Sequence, residues 1–98
     1  MKTAIVIGAG VGGLAASINM ARAGVKVRLY ERGAAVGGKL REVDVGGHTL
    51  LAGPSVFTMR WVFDELFDGK LDEYVTLRPV DPLCRHFFAD GSALDLYT

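Results

Sequence analysis

The sequence predicts an α/β fold that opens with one parallel βαβ unit and continues into β-hairpins and a short helix. Three observations predict it: an apolar run at the start, a change to helical spacing after a glycine-rich turn, and two glycine-centred chain reversals further along. The 98 residues suffice for one domain or part of one, because a chain this short buries only about 60–65% of its extended surface.

The first third of the chain predicts strand, helix and strand. Thr3–Ile7 is a continuous apolar run, which is typical of a strand buried on both faces of a parallel sheet. Apolar residues then follow helical spacing from Val11 to Arg22, and Gly24 supplies the helix stop. Val25–Tyr30 alternates in polarity as a second strand. The helical crossover requires these two strands to be parallel.

Composition narrows the class of protein. Eleven Lys and Arg residues balance eleven Asp and Glu residues without a basic run, which argues against nucleic acid as the main partner. Half of the residues are hydrophobic and the mean hydropathy is +0.28, which excludes intrinsic disorder. Cys84 is the only cysteine, so an internal disulfide is excluded and a reducing cytosol is favoured. The uncharged run Thr3–Ala21 has the length of a signal peptide or membrane helix, but its four clustered glycines disfavour both.

The turn between the first strand and the helix has the pattern G-x-G-x-x-G. Its residues are Gly8, Ala9, Gly10, Val11, Gly12 and Gly13. Glycines in this pattern permit a tight turn, close approach of a diphosphate to the backbone, and close packing of helix on strand. Glu31 closes the second strand eighteen residues after Gly13, where a carboxylate can accept hydrogen bonds from ribose hydroxyls. The sequence therefore predicts an adenine dinucleotide site; the alternative is a glycine-rich turn with a solvated Glu31.

A second glycine pair lies close behind the acid. Gly37, Gly38 and Lys39 follow Glu31 by six to eight residues. Close backbone approach beside a cation suits the far side of the same diphosphate. We also place Arg32, next to the acid, among the cofactor-binding residues. The alternative is an ordinary loop with a solvated lysine.

These motifs together resemble a known superfamily. The span Ala4–Lys39 is similar to the FAD-binding start of flavoproteins of the amine oxidase and phytoene desaturase superfamily, in which a glycine turn, an acid and a Gly-Gly-Arg/Lys element occur in this order. Lys39 stands where that superfamily usually has arginine, which keeps the charge but loses the bidentate fork. The resemblance implies FAD rather than NAD as the cofactor.

The next stretch resembles a narrower family. Ala52–Met59 is similar to the Asp-Ala-Gly-Pro-(Ser/Thr)-Val element of bacterial carotenoid desaturases, and with Arg60–Phe67 it looks closest to the hydroxy- or methoxycarotenoid 3,4-desaturase branch of purple bacteria. Leu51 departs from the pattern, since the family has Asp there, so no role of that Asp is carried over. The resemblance implies an FAD-dependent oxidoreductase that desaturates a C–C bond of a carotenoid, a long apolar polyene. The residues that would border the flavin ring are Gly53, Pro54 and Ser55.

Two other classes stay open at this point. One is another flavoprotein of the superfamily, such as an amine or protoporphyrinogen oxidase. The other is a non-enzymatic binder on the same fold, such as the Rab GDP-dissociation inhibitors, against which Glu31 weighs. The resemblance assigns no catalytic residue within this span. We expect residues 1–98 to be the N-terminal part of an FAD-binding domain, an incomplete Rossmann-like unit of a longer enzyme.

Hairpins and a helix are predicted downstream. Gly46-Gly47 and Asp90-Gly91 are hairpin turns. The strands that they join are Leu40–Val45 with His48–Leu51, and Leu83–Ala89 with Ala93–Tyr97. A helix is predicted over Thr58–Asp68 and ends at Gly69. Its apolar stripe is predicted to face the core and consists of Met59, Val62, Phe63, Leu66 and Phe67.

Trp61 lies off this stripe, so it packs either against a second domain or against an apolar partner such as lipid. Carotenoids partition into bilayers. We therefore expect a cytoplasmic protein with peripheral contact to the inner face of the cell membrane.

Other polar residues carry weaker signals. His48 and His86 lie far apart, and no Cys/His/Asp cluster has ligand spacing, so no metal site is predicted. Cys84 and His86 alternate on a predicted strand and can face the same side, but without a partner acid a structural cysteine is favoured over a nucleophile. The acids near the predicted helix are interpreted as a solvated face and comprise Asp64, Glu65, Asp68, Asp72 and Glu73.

Overall fold

The structure, a computed structural model, describes residues 1–97 and confirms the α/β class. In that range the strands are β1 (Thr3–Ile7), β2 (Lys26–Tyr30), β3 (Glu42–Val45), β4 (His48–Leu51), β5 (Cys84–Phe87) and β6 (Ala93–Leu96). The helices are α1 (Val11–Arg22) and α2 (Arg60–Leu66), followed by a 3-10 turn at Leu71–Glu73. The strands pair as β1–β2, β3–β4 and β5–β6.

The first sheet is the predicted parallel βαβ unit. β1 and β2 pair from Thr3 opposite Lys26 to Ile7 opposite Tyr30. α1 crosses over one face of the pair, and burial alternates along both strands. The second face of β1 is uncovered within residues 1–97, as we expect for an incomplete Rossmann-like unit: Ile5 and Ile7 are 67% and 87% exposed.

α1 ends where the sequence predicts. Gly24 has a φ of 79°, in the left-handed region that glycine adopts without steric cost. Its N–H donates to the Ala21 carbonyl, and the Val25 N–H donates to the Met20 carbonyl, both at 3.0 Å. This pair of bonds is the Schellman arrangement, which satisfies carbonyls of the last turn and directs the chain into β2.

Both predicted hairpins are present. β3 and β4 are antiparallel around Gly46 and Gly47, whose φ values of 60° and 83° suit a tight type I′ turn. β5 and β6 are antiparallel around Asp90-Gly91. There the Asp90 carboxylate accepts hydrogen bonds from the backbone N–H and the hydroxyl of Ser92, at 2.9 and 2.6 Å.

α2 is shorter than the predicted helix Thr58–Asp68. It begins at Arg60, since Met59 has a left-handed backbone with φ of 52°. It ends at Leu66, and the chain turns away through Gly69 at φ of 74°. The sequence therefore indicated the helix and its stop, while the left-handed residue before Arg60 delayed its start.

The apolar stripe of α2 is only partly packed. Phe63, Leu66 and Phe67 are half-buried, and the Phe67 ring lies 5.2 Å from that of Tyr74, centroid to centroid. Met59, at the other end of the stripe, is 63% exposed, and Val62 is also exposed. The predicted core-facing stripe is thus wrong at these two positions, because no element of the described chain covers that end of α2.

Three of the acids that we interpreted as a solvated face form ion pairs with arginines. Arg60 donates to Asp64 at 3.2 Å and to Asp72 at 2.7 Å. Arg22 donates to Asp68 at 3.0 Å. The side chains of Asp68 and Asp72 remain 74% and 72% exposed, so these acids are solvated as well as paired.

Arg22 also joins the two helices through the backbone. Its guanidinium donates to the carbonyls of Glu65 and Leu66 at 3.0 and 2.9 Å. Carbonyls in the last turn of a helix lack intrahelical partners. Arg22 therefore closes the end of α2 from the end of α1.

Candidate dinucleotide-binding site

The glycine turn leads from β1 into α1 and leaves backbone donors available. Gly8 has a φ of 98°, and its N–H donates to the Tyr30 carbonyl at 2.7 Å, which ties the turn to β2. Gly10 is the N-cap of α1; it makes no side-chain capping bond, and no acid lies in the first helical turn. The free N–H groups and the positive end of the helix dipole are therefore available to an anion.

Gly13 lets α1 approach β1 closely. A Cβ built on Gly13 would collide with the carbonyl oxygen of Gly8 and lie 3.5 Å from Cγ1 of Val6. A Cβ on Gly12 would meet nothing within 4 Å. The last glycine of the motif is therefore required by helix–strand packing, and the one before it is not.

Glu31 follows β2 and holds the glycine turn. Its Oε2 accepts the Ala9 N–H and its Oε1 accepts the Gly33 N–H, both at 2.7 Å. These two donors, that of Ala9 first, lower the pKa of Glu31 below its ordinary 4.5, and Arg32 adds a smaller effect. The carboxylate is therefore charged at neutral pH. Since each oxygen has two lone pairs, both can still accept a further donor such as a ribose hydroxyl.

The second glycine pair packs directly against the first turn. The Gly37 N–H donates to the Ala9 carbonyl at 2.8 Å, and Gly37 forms an isolated parallel bridge with Gly10. A Cβ on Gly38 would lie 3.0 Å from Cα of Gly10. Two glycine elements that are distant in the sequence thus form one backbone surface, and any side chain between them would separate them.

Gly53 brings a third segment to the same place. A Cβ on Gly53 would collide with the carbonyl oxygen of Lys39. The adjacent Ala52 N–H donates to the Arg41 carbonyl at 2.8 Å. The segment Gly53–Ser55 therefore lies beside the chain that follows the second glycine pair.

These segments line an open cleft of about 810 Å³. Of the predicted cofactor-binding residues, its lining includes Val11, Gly38, Gly53, Pro54 and Ser55. The other predicted residues do not line it: Gly8, Ala9, Gly10, Gly12, Gly13, Glu31, Arg32 and Lys39. The glycine turn therefore reaches the cleft through Val11, the first residue of α1, where the free helix N-terminus fits the diphosphate of a dinucleotide.

Nine lining residues were not among the predicted site residues, and the chemistry of three of them, Phe57, Phe63 and Arg41, bears on ligand binding. The rings of Phe57 and Phe63 lie 4.7 Å apart, centroid to centroid, and form an apolar wall of the cleft. Arg41 supplies a cation. In the sequence, Arg41 could have been noticed as a second cation two residues after Lys39. The spacing alone, however, does not predict which of the two cations lines the cleft.

Cys84 and His86 form a separate pair on β5. Cys84 Sγ lies 3.5 Å from His86 Nε2, so the two share one face. Cys84 is exposed, because within the described residues the two-stranded hairpin offers no core to pack the thiol. Among the described residues, no group of three or more His, Cys, Asp or Glu side chains is arranged to hold a metal ion.

Comparison with known proteins defines the class. A family model described as an NAD(P)-binding Rossmann-like domain matches residues 6–68. The chain therefore belongs to this family of dinucleotide-binding domains. An oxidoreductase of known structure from Methanosarcina mazei is 39% identical over 55% of this chain and 13% of its own, with a TM-score of 0.47.

Two curated relatives are similar over nearly the whole chain. Hydroxyneurosporene desaturase of Rhodobacter capsulatus is 50% identical over 97 residues, which are 96% of this chain and 20% of that protein. The 4,4'-diapolycopene oxygenase of a Methylomonas species is 47% identical over 95 residues, 94% of this chain and 19% of that protein. The chain thus spans about a fifth of the length of these relatives. The resemblance to carotenoid desaturases is confirmed.

The structure also bears on membrane association. No helix within residues 1–97 has both the length and the apolar character needed to cross a bilayer.

Proposed function

We propose that this chain binds FAD and forms the N-terminal part of the FAD-binding domain of a carotenoid desaturase. The observation that carries the proposal is that Gly38 packs against Gly10 of the glycine turn, while Gly38 and Gly53 line one cleft together with Val11, the first residue of α1. The 50% identity to a hydroxyneurosporene desaturase supports the same reading. FAD is preferred to NAD(P) because the cleft continues past the diphosphate end to an aromatic wall, which suits a large planar ring.

Each segment has a distinct part in holding the cofactor. The glycine turn and the N-terminus of α1 bind the diphosphate, and Gly38, which packs against the turn, extends the same backbone surface. Glu31 accepts hydrogen bonds from the adenosine ribose while it continues to hold Ala9. Gly53–Ser55 borders the flavin ring.

The apolar lining suits the substrate. Bound FAD supplies the acceptor for the two hydrogens that leave when a C–C single bond of a polyene becomes a double bond. Leu51, Phe57 and Phe63 line the cleft and keep water from that end.

A second candidate reaction is oxygenation of a carotenoid. It is favoured by the 47% identity to a 4,4'-diapolycopene oxygenase. The two reactions differ in their products: desaturation removes two hydrogens, whereas oxygenation adds oxygen to the carbon skeleton.

The test uses the full-length protein with FAD and hydroxylated or methoxylated carotenoids in detergent micelles. A yellow protein with a flavin spectrum, and a product that has lost two hydrogens, supports the proposal. A product that has gained oxygen assigns the second reaction. A protein that binds NAD(P) and no flavin overturns the cofactor assignment.

Gly10→Val tests the diphosphate position. A valine side chain at the N-cap of α1 occupies the space that the diphosphate needs, so we expect the full-length variant to purify without flavin. Gly12→Ala is the matched control, because a Cβ there meets nothing within 4 Å, and it should retain flavin. Wild-type flavin content in Gly10→Val, with an unchanged circular dichroism spectrum, places the diphosphate elsewhere.

The proposed surface contact with the inner face of the cell membrane rests on substrate chemistry. A long polyene partitions into the bilayer, so the enzyme must collect it there. Trp61 is 63% exposed and neighbours Arg60. An amphipathic ring beside a cation suits the headgroup boundary.

A further inference from the structure

We propose that Arg41, and not Lys39, is the side-chain cation that binds the diphosphate of the cofactor. The inference rests on the proposed function, since it assumes a dinucleotide in the cleft. It reassigns the ion pair with the diphosphate from Lys39 to Arg41. In this view the Gly-Gly-Lys element lets the diphosphate come close to the backbone, and the positive side chain is that of Arg41, just before the β3–β4 hairpin.

The first support is the position of the two cations. Arg41 lines the cleft together with Val11, the first residue of α1, and Gly38, which packs against the glycine turn, whereas Lys39 does not line the cleft. The carbonyl of Lys39 lies against Gly53, where a Cβ would collide with it. Lys39 therefore contributes its backbone to the joining of these segments.

The second support is that the Arg41 guanidinium is free. Arg22, Arg60 and Arg85 each hold a carboxylate within 3.2 Å. Arg41 makes no side-chain hydrogen bond or ion pair with any described residue. Glu42 also lines the cleft, but it is not paired with Arg41. The cation is thus available to a ligand. Lys39 also has no side-chain partner among the described residues, so the cleft lining is what distinguishes the two cations.

The third support is that the backbone of Arg41 is anchored. Its carbonyl accepts the Ala52 N–H at 2.8 Å, and the next residue, Glu42, pairs with Leu51 at the start of the β3–β4 ladder. The side chain therefore extends from a fixed point, which reduces the entropy lost when it binds.

The chemistry of the ligand selects the diphosphate. The diphosphate carries the formal negative charges of an oxidised dinucleotide at neutral pH. A guanidinium presents parallel N–H donors that match phosphate oxygens in a bidentate contact, whereas an ammonium acts as a point charge. A free arginine in the cleft therefore offers the diphosphate a bidentate contact that Lys39 does not.

The experiment compares FAD with ADP on the full-length apoprotein, by titration calorimetry. ADP has the adenosine and the diphosphate but no flavin ring. In Arg41→Gln we expect both dissociation constants to rise by a similar factor, about tenfold or more. Arg41→Lys should recover part of the loss. Lys39→Gln should have a smaller effect than Arg41→Gln, and Lys70→Gln, a charge-matched change outside the cleft lining, should have none.

Other outcomes overturn the inference. Unchanged affinities in Arg41→Gln remove its role, and weaker FAD with unchanged ADP moves the contact to the flavin end. A larger loss in Lys39→Gln restores the charge-pairing role to Lys39. A lower melting temperature of the Arg41→Gln apoprotein, with equal loss in Arg41→Lys, indicates a structural role. If the wild-type protein binds no FAD, the proposed function fails instead.

Discussion

At position 31 a single carboxylate serves two backbone segments. It holds the glycine turn through Ala9 and its own following loop through Gly33. The same arrangement keeps Glu31 ionised, since both N–H groups favour the charged form and lower its pKa. The acid therefore shapes the site before any ligand binds.

The effect of Glu31 on stability should depend on pH. Because its native pKa lies below the ordinary 4.5, its stabilising contribution is present above that pH and is lost as the pH falls through the native value. The unfolding free energy of the wild type should exceed that of Glu31→Gln at neutral pH, and the gap should close in acid. Denaturant titrations across this pH range measure the gap. If the difference in unfolding free energy stays the same in acid, the charge of Glu31 does not contribute to stability and this explanation is wrong.

Gly12 and Gly13 offer a matched pair of substitutions. In Gly13→Ala the new Cβ collides with the Gly8 carbonyl, so the free energy of unfolding should fall by about 1–3 kcal/mol or more. In Gly12→Ala the methyl group has open space, and the better helix propensity of alanine should raise it by up to about 1 kcal/mol. Urea denaturation of both variants measures the difference. Equal effects would mean that α1 does not pack on β1 as described.

Among the elements, the contact between α1 and α2 depends on Arg22. Its guanidinium reaches two carbonyls at the end of α2 and the carboxylate of Asp68. α2 in turn presents Phe63 to the cleft, next to Phe57. The position of the aromatic wall is therefore linked to the last turn of α1.

Arg22→Met should lower the free energy of unfolding by about 1 kcal/mol, because it removes the bonds to both carbonyls from a half-exposed site. Asp68→Asn is the control: it removes only the ion pair, keeps a residue that tolerates the positive φ of 57°, and should cost less than about 0.5 kcal/mol. Denaturation curves of both variants test the split. If Asp68→Asn lowers the free energy of unfolding as much as Arg22→Met does, then Arg22 stabilises the protein through its ion pair with Asp68 and not through its bonds to the carbonyls of α2.

As a whole, the described chain is extended and poorly buried. Its radius of gyration is 18.1 Å, against about 13 Å for a compact chain of this length. Ala9 and Leu71 are the buried hydrophobic residues among those described. Large apolar side chains therefore remain on the surface, and Trp61 is one of them.

Trp61→Ser in the full-length protein should reduce co-sedimentation with anionic liposomes, while flavin content and melting temperature stay unchanged. The physical reason is the loss of an exposed amphipathic ring from the headgroup region. Leu66→Ser, at a half-buried position of α2, is the comparison and should affect stability more than lipid binding. Unchanged liposome binding with a lower melting temperature would instead make Trp61 an interdomain residue.

The local elements follow from the sequence alone. Thr3–Ile7, the helix from Val11, and the turns at Gly46-Gly47 and Asp90-Gly91 are encoded by patterns within a few residues, so their position and type could be predicted. The glycine motif belongs here as well, because its spacing reflects one strand-to-helix turn. These patterns are short-range, and nothing distant overrides them in this chain.

Tertiary structure alone decided which distant residues meet. The docking of Gly38 on Gly10, the reach of Arg22 to α2, and the presence of Arg41 rather than Lys39 along the cleft all depend on chain paths between elements. Likewise, the apolar run of β1 indicates burial on both faces, but whether each face is covered depends on what packs there. Sequence spacing specifies the direction of a side chain along its own element, and only the packing of elements specifies its neighbours.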